Sequence, residues 1–383
     1  MNQIKRVVTV VGDANKVNTW SGTPYFFRKA GQQLDFFSFG LSLEPEKLKI
    51  NRVLWNWITW LKTGQTGGFQ YSQIFLKKLF NQVKLDSDKL EIISHFPLLP
   101  PSPWKNNWIV NYYIDATLRQ NFEEYGLASK VAKKVRQQAL QQEQENYSYA
   151  KRIICMSCAA AKSVVEDYSI ASSKVYVIPG GANLDEDSLL TISNQFDQPD
   201  SLNPLRLGFI GKDWKRKGLP YLIEVAEVLD QRKIDVEIVV IGPSHQEIPT
   251  HQLIQPIGFV DKSKEIEKFV EIVRSFHFGC LFSSAEAFGI SNRECLRLGV
   301  PVLATDIGGI PDTVPEGNGF LFKPNTSPKI VADLLESFVN NPSYYYELRD
   351  KIQTRIHEFS WYYSIQSFIN TWQNREENLY IKK

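Results

Sequence analysis

Cysteine is scarce in this chain, with only Cys155, Cys158, Cys280 and Cys295 among 383 residues. No signal peptide precedes the first strand-like run, IKRVVTVVG, so we expect a reducing cytoplasmic setting. The spacing CMSC is that of a redox or zinc half-site. No second pair and no histidine cluster completes one, and RIICMSCAAA reads as a buried strand entering a helix. Long apolar runs are missing as well: none approaches the roughly 18 residues of a membrane-spanning helix. Charge of one sign is not in excess, since 44 Lys and Arg against 42 Asp and Glu leave a formal +2. With 43% apolar and 22% charged residues, this balance excludes a global bias toward nucleic acid or disorder. A GxGxxG dinucleotide fingerprint is also lacking, which counts against a dehydrogenase.

At 383 residues the chain exceeds the roughly 100 to 200 of one ordinary domain, so two are expected. Apolar runs rich in β-branched residues recur between helix-length segments: VVTVVG, LDFFSFG, LEIISHF, WIVNYYID, RIICMS and KVYVIPGG. Such alternation predicts a parallel sheet flanked by helices. The polar stretch at about 185–204 interrupts it, and a second series follows: LRLGFIG, VEIVVIG, QPIGFV, FGCLFSS, PVLATD and GFLFKP. We therefore expect an α/β chain with Rossmann-like domains at 1–185 and 204–361, facing each other across a cleft lined by the carboxyl ends of their strands. A closing helix at about 362–383 is expected to pack back on the first domain, and QQALQQEQEN reads as a solvated helix.

One stretch admits two readings. VLWNWITWLK concentrates three tryptophans, and nearby helical stretches carry Lys77, Lys78, Lys84, Lys130, Lys133, Lys134 and Arg136. These features suit peripheral contact with an anionic membrane at its inner face. The ordinary reading of the same features is a core-facing aromatic helix with solvated lysines beside it.

Two constellations carry chemistry. GFIGKDWKRKGL follows a strand and precedes a helix, a geometry in which backbone N–H groups offer positive potential to an anion, with Lys212 and Lys217 beside them. A diphosphate is their natural ligand. In EAFGISNRE, residues Phe288, Gly289 and Ile290 stand where a helix begins, with free N–H groups for phosphate oxygens. Glu286 and Glu294 are suited to accept hydrogen bonds from sugar hydroxyls, and a nucleotide sugar offers both kinds of group.

In order and spacing, FIGKDWKRKG, PIGFV, EAFGISNRE, RLGVPVLATDIGGIPDTV and GNGFLF resemble the retaining glycosyltransferases of family four, which have the GT-B fold. KVYVIPGGANLD and FSW extend the likeness to the domain junction and the closing helix. The resemblance implies that Glu286 holds hydroxyls of the donor hexose, Glu294 the ribose, and Lys212 and Lys217 the diphosphate. It further implies that Gly258 and Phe259 line the base pocket through their backbone. Lys212 stands where arginine is common and lacks its bidentate fork, and Ala287 replaces a common glycine. GDANKVNTWSGTPYFF resembles the family's glycine-containing loop, making Ser21, Gly22 and Thr23 candidates for approaching the donor phosphates. Many members place a histidine at a first-domain strand end; Ile114 or Asp115 occupies that place here. We take Asp115 as the catalytic candidate, with His95 as its rival.

Retention in that family is pictured as a front-face displacement in which the leaving phosphate takes the acceptor's proton. The protein then holds the diphosphate and stabilises charge, with no cofactor and no metal. DED at 185–187 and DSD at 86–88 look like Asp-x-Asp metal motifs but read as solvated acids in polar turns. The acceptor is expected to be a glycan, a lipid-linked group or a small molecule, in polysaccharide or glycoconjugate synthesis. The competing functions are a phosphorylase, hydrolase or epimerase on the same fold, or a sugar-nucleotide-binding protein whose catalysis has lapsed.

Overall fold

The computed structural model describes residues 4–83, 85, 89–192 and 199–373. It divides into two compact units, one being Met1–Pro179 with Ile365–Lys383 and the other Gly180–Ser364. Part of the polar stretch at about 185–204 (193–198), all of DSD at 86–88, Lys84 and the end of the closing segment (374–383) lie outside the described residues.

The first unit begins with β1 (Lys5–Thr9), α1 (Thr23–Gln33), β2 (Phe39–Gly40), α2 (Lys49–Thr63) and α3 (Gln73–Phe80). It continues through β3 (Leu90–Ser94), β4 (Trp108–Ile114), α4 (Leu118–Glu123), α5 (Lys133–Tyr149), β5 (Arg152–Cys155), α6 (Cys158–Glu166) and β6 (Val175–Val177). The six strands are parallel, in the order β2-β1-β3-β4-β5-β6. Each apolar run of the first series thus supplies a strand. CMSC spans the junction of β5 and α6, with Cys155 buried.

The second unit runs α7 (Glu186–Ile192), β7 (Leu205–Ile210), α8 (Leu219–Gln231), β8 (Val236–Ile241), β9 (Ile254–Gly258) and α9 (Ile266–Arg274). Then come β10 (Phe278–Leu281), α10 (Ile290–Arg297), β11 (Val302–Thr305), α11 (Ile310–Thr313), β12 (Gly319–Phe322), α12 (Pro328–Asn340), α13 (Pro342–Gln353) and α14 (Trp361–Trp372). Its six strands are also parallel, ordered β12-β11-β10-β7-β8-β9. The sheet is buried on both faces. On β8, Val239 and Ile241 enter one core cluster while Ile238 and Val240 enter the other, the period-two division that requires a continuous apolar run. Each such side chain contributes about 1.5–3 kcal/mol when fully buried.

Motifs distant in sequence meet in this unit. Ala182 N–H donates to the Phe359 carbonyl at 2.7 Å and Trp361 Nε1 to Asn183 at 2.9 Å, which joins PGGANLD to FSW. From Ile365 onward α14 belongs to the first unit. There the Phe368 ring packs on Phe27 and Tyr113, with centroids 5.1 and 4.8 Å away, and Trp372 donates to Glu91 at 2.8 Å.

Two expectations need correction. The tryptophan-rich helix does not face the core: Thr59 is the one buried residue of α2, while Ile50, Val53, Leu54, Trp57 and Leu61 are exposed. Trp55 turns inward, packing on Phe69 and donating to the Gly67 carbonyl at 3.2 Å. The acids at 185–187 are not a solvated turn either. Glu186 opens α7 and is ion-paired with Arg297, and Ser188 donates to Asp185 at 2.8 Å.

Candidate functional site

β7 and β10 are neighbours at the point where strand order reverses, so the loops leaving their carboxyl ends emerge side by side. Ligands bind at such switch points in open parallel sheets. The loop at 211–218 leads from β7 into α8, and the segment 282–289 leads from β10 into α10. Ser284 N–H donates to the Arg216 carbonyl at 2.9 Å, tying the two together. Gly218 makes the approach possible: its φ is +83°, and a Cβ there would lie 2.1 Å from the Phe282 carbonyl oxygen.

Glu286 sits at the centre of this edge. Its Oε2 lies 3.3 Å from Lys217 Nζ and 3.2 Å from Arg216 Nη1, and Ser283 Oγ donates to it at 3.3 Å. Arg216 also holds Asp213 at 3.0 Å and donates to the Ala285 carbonyl. Burial works against the Arg216 charge, but Glu286 and Asp213 outweigh it and hold the guanidinium above its ordinary pKa. A carboxylate with two cations and a hydroxyl on one side has its charge satisfied and its position set.

Two helices open onto the same edge without a side-chain cap. Gly218 is the N-cap of α8 and Gly289, with φ 88°, the N-cap of α10, and neither helix start receives a capping side-chain bond. Their first N–H groups and positive dipole ends favour an anion. Phe288 is buried, and Ile290 is the first residue of α10. The main chain of Glu286 is fixed from the far side, its carbonyl accepting from Gly309 N–H at 3.1 Å, so DIGGIPDTV supports EAFGISNRE directly.

Glu294, on the second turn of α10, is 2% exposed and ion-paired with Lys262. Gly258 ends β9 with φ +82°, and its carbonyl accepts from Gly242 N–H at 2.9 Å. The Phe259 ring is 62% exposed, and the Lys212 ammonium lies 4.4 Å from its centroid. An exposed aromatic ring with a cation on its face is one wall on which a planar base can stack.

In the first unit the rivals His95 and Asp115 share one pocket of about 330 Å³, with Val11, Trp20, Tyr71 and Phe96 also in its walls. It lies at the carboxyl ends of β1, β3 and β4. Asp115 is half-buried just past Ile114, the buried last residue of β4. His95 is buried against Phe27 and Tyr113, its pKa pushed down to about 3 by desolvation, so it is neutral near pH 7. Its Nε2 has no hydrogen-bond partner among the described residues. Gly22 is the buried N-cap of α1, and Trp20 and Ser21 before it have φ of 48° and 56°. This loop puts Trp20 in the pocket, with Ser21, Gly22 and Thr23 at the helix start.

Three residues of these sites were not singled out from sequence. Arg216 was visible only as one more cation in KDWKRKG; its choice of Glu286 depends on the β7–β10 pairing. Lys262 is 32 positions from Glu294, with no periodicity to link them. Tyr71 comes from a short 3₁₀ turn, Phe69–Tyr71, and no motif marks it.

Residues 192–358 match the family model described as glycosyl transferases group 1. The D-inositol 3-phosphate glycosyltransferase of Corynebacterium urealyticum is 25% identical over 235 residues, which cover 57% of this chain and 55% of that protein. The MMP alpha-(1->4)-mannosyltransferase of Mycolicibacterium hassiacum is 23% identical over 55% of this chain and 50% of its own length. The chain spans about half the length of the curated relatives it matches. Among solved structures, the sucrose-phosphate synthase of Thermosynechococcus elongatus superposes with a TM-score of 0.64 at 14% identity, covering 97% of this chain and 99% of that one. Anabaena HepE in complex with UDP and glucose gives a TM-score of 0.60 at 15% identity, covering 97% and 100%. At such identities the superpositions speak for the fold, two parallel six-stranded sheets with their helices. The chain thus has the GT-B fold, and the residues that match the glycosyl transferases group 1 model, 192–358, lie within its second unit.

Proposed function

We propose that this chain is a retaining hexosyltransferase of family four, moving a hexose from a nucleoside diphosphate to an acceptor hydroxyl. The observation that carries this reading is the Glu286–Lys217–Arg216 cluster at the β7–β10 switch point, between two uncapped helix starts. In this reading the donor's diphosphate competes with Glu286 for the two cations and lies against the N-termini of α8 and α10. Glu286 is released to accept hydrogen bonds from hexose hydroxyls. Glu294 takes the ribose, the base lies along Gly258 and Phe259, and Lys212 serves the phosphates.

The bond from the anomeric carbon to phosphate oxygen breaks as the bond to the acceptor oxygen forms on the same face. The departing phosphate takes the acceptor's proton. Charge stabilisation by Lys217, Lys212 and Arg216 supplies the leaving-group assistance, so no cofactor and no divalent cation enters. The acceptor's reacting end is assigned to the first-unit pocket, where Asp115 stabilises the partly positive sugar or orients the hydroxyl beside a neutral His95. Ser21, Gly22 and Thr23, at the start of α1, are candidates for phosphate contact.

A thermal-shift screen of the full chain against UDP-, GDP- and ADP-sugars, without added metal, tests this. A shift of several degrees with one nucleotide family, lost in Lys217→Ala, is expected and names the base. Equal shifts in wild type and variant, or none with any donor, would reject the assigned donor site.

A further inference from the structure

The apolar residues of α2 lie on the face opposite its own core. Ile50, Val53, Leu54, Trp57 and Leu61 recur at i, i+3, i+4, i+7 and i+11, and Ile58 and Trp60 widen the stripe on either side. All seven are exposed, Ile50 at 84%. Thr59, with Trp55 and Leu48 beside it, holds the opposite face to the protein. Single exposed apolar residues are ordinary, but a continuous stripe along a whole helix marks a surface that is covered in use.

We propose that α2 lies in the surface of an anionic lipid bilayer, its apolar stripe among the acyl chains. Charge chooses this occupant. The helix carries Lys49, Arg52 and Lys62 and no acidic residue; Lys49 and Lys62 stand at its two ends, beside the stripe. Two acids stand just ahead, Glu44, which is paired with Lys47 at 2.7 Å, and the exposed Glu46, so the helix and its entry keep a net positive charge. Lys130, Lys133 and Lys134, all exposed, extend the basic surface, because their segment packs on the Gly67 and Gly68 turn that follows α2. Two copies of the chain meeting through this helix would bring like charges together, whereas phosphate headgroups on either side of a buried stripe would meet cations. Trp57 and Trp60 fit the headgroup level.

The surface proposal stands on α2 alone. Its consequence rests on the transferase reading. Trp55 on the inner side of α2 packs on Phe69, two residues from Tyr71 in the His95 and Asp115 pocket, so a bilayer at α2 would present a lipid-linked acceptor close to that pocket.

The test uses the full chain and phosphatidylcholine vesicles with or without phosphatidylglycerol, in a flotation assay free of donor and acceptor. Expected is binding that needs phosphatidylglycerol, weakens with salt, and falls at least about tenfold in Ile50→Asp/Trp57→Asp. A second variant, Lys49→Glu/Lys62→Glu, keeps the apolar stripe and should lose the preference for phosphatidylglycerol. Absence of vesicle binding, or equal binding by both variants, overturns the proposal. A wild-type dimer in sedimentation that ignores vesicles and is split by Ile50→Asp/Trp57→Asp overturns it in favour of a second copy. Donor binding is read separately by thermal shift without lipid, so either reading can fail alone.

Discussion

Lys217 Nζ stands 3.3 Å from Oε2 of Glu286, the oxygen that Arg216 reaches at 3.2 Å. One carboxylate oxygen thus collects two cations from the loop after β7, although the residues lie about 70 positions apart. In the transferase reading proposed above, an incoming diphosphate would compete for these cations and free the carboxylate to accept from hydroxyls.

From that exchange, Glu286→Ala and Lys217→Ala should each lower kcat by about 10² or more with the fold intact. Steady-state rates with the donor found by thermal shift, beside circular dichroism of each variant, check this. Near-normal turnover in both would remove the assignment.

Glu294 is 2% exposed and its charge is answered by Lys262. Lys262→Met would leave a buried carboxylate without its cation and should cost about 3 kcal/mol, by analogy with broken buried pairs. Urea unfolding measures it. Restoration of most of that loss in Lys262→Met/Glu294→Gln would show that the unpaired charge, rather than lost packing, is responsible.

Acid should destabilise the protein through two buried histidines. Burial pushes His95 down to about 3 and His277 to about 4, the latter partly countered by its hydrogen bond to the Ser201 carbonyl. The unfolded chain protonates both near pH 6.5. Between that value and the folded pKa values the unfolded state binds more protons, so stability falls as pH falls. Thermal midpoints from pH 7.5 down to 4.5 should decline below about 6.5, and His95→Phe, which keeps the packing against Phe27 and Tyr113, should flatten part of the decline.

Glu143 should act in the opposite sense. Burial pushes its carboxyl up to about 7, against hydrogen bonds from Tyr168, Leu118 N–H and Tyr147. The folded state keeps a proton that the unfolded state has released, so stability declines as pH rises from about 4.5 to 7. Because the two histidines act in the other direction over the same range, urea unfolding at pH 5 and pH 7.5 should show a larger loss of stability toward pH 5 in Glu143→Gln than in wild type. Because Glu143 holds the first N–H of α4, three residues past Asp115, the same variant should also disturb the first-unit pocket.

Much of this was readable from the chain. VEIVVI and its fellows announced strands because a parallel strand covered on both faces must be almost continuously apolar, and each run of both series does supply one. The helix start at Gly289 was readable for a local reason, a glycine ahead of helix-forming residues. Arg216 was not readable as a partner of Glu286, nor Lys262 of Glu294, because those contacts depend on which strands lie side by side. The acids at 185–187 looked like a turn because Arg297, the partner that makes Glu186 part of a packed helix start, is 111 positions away.

The sequence by itself determined the elements, their alternation and the residue types gathered in each motif, since backbone preference and burial period act over a few neighbouring residues. Tertiary structure alone decided what each face meets. The stripe on α2 shows the same helical period whether it points at a core or away from it. Only the packing of Trp55 and Thr59 beneath the helix turned Ile50 and Trp57 outward. Periodicity says which side chains share a face, and the neighbour that covers that face comes from elsewhere in the chain or from outside it.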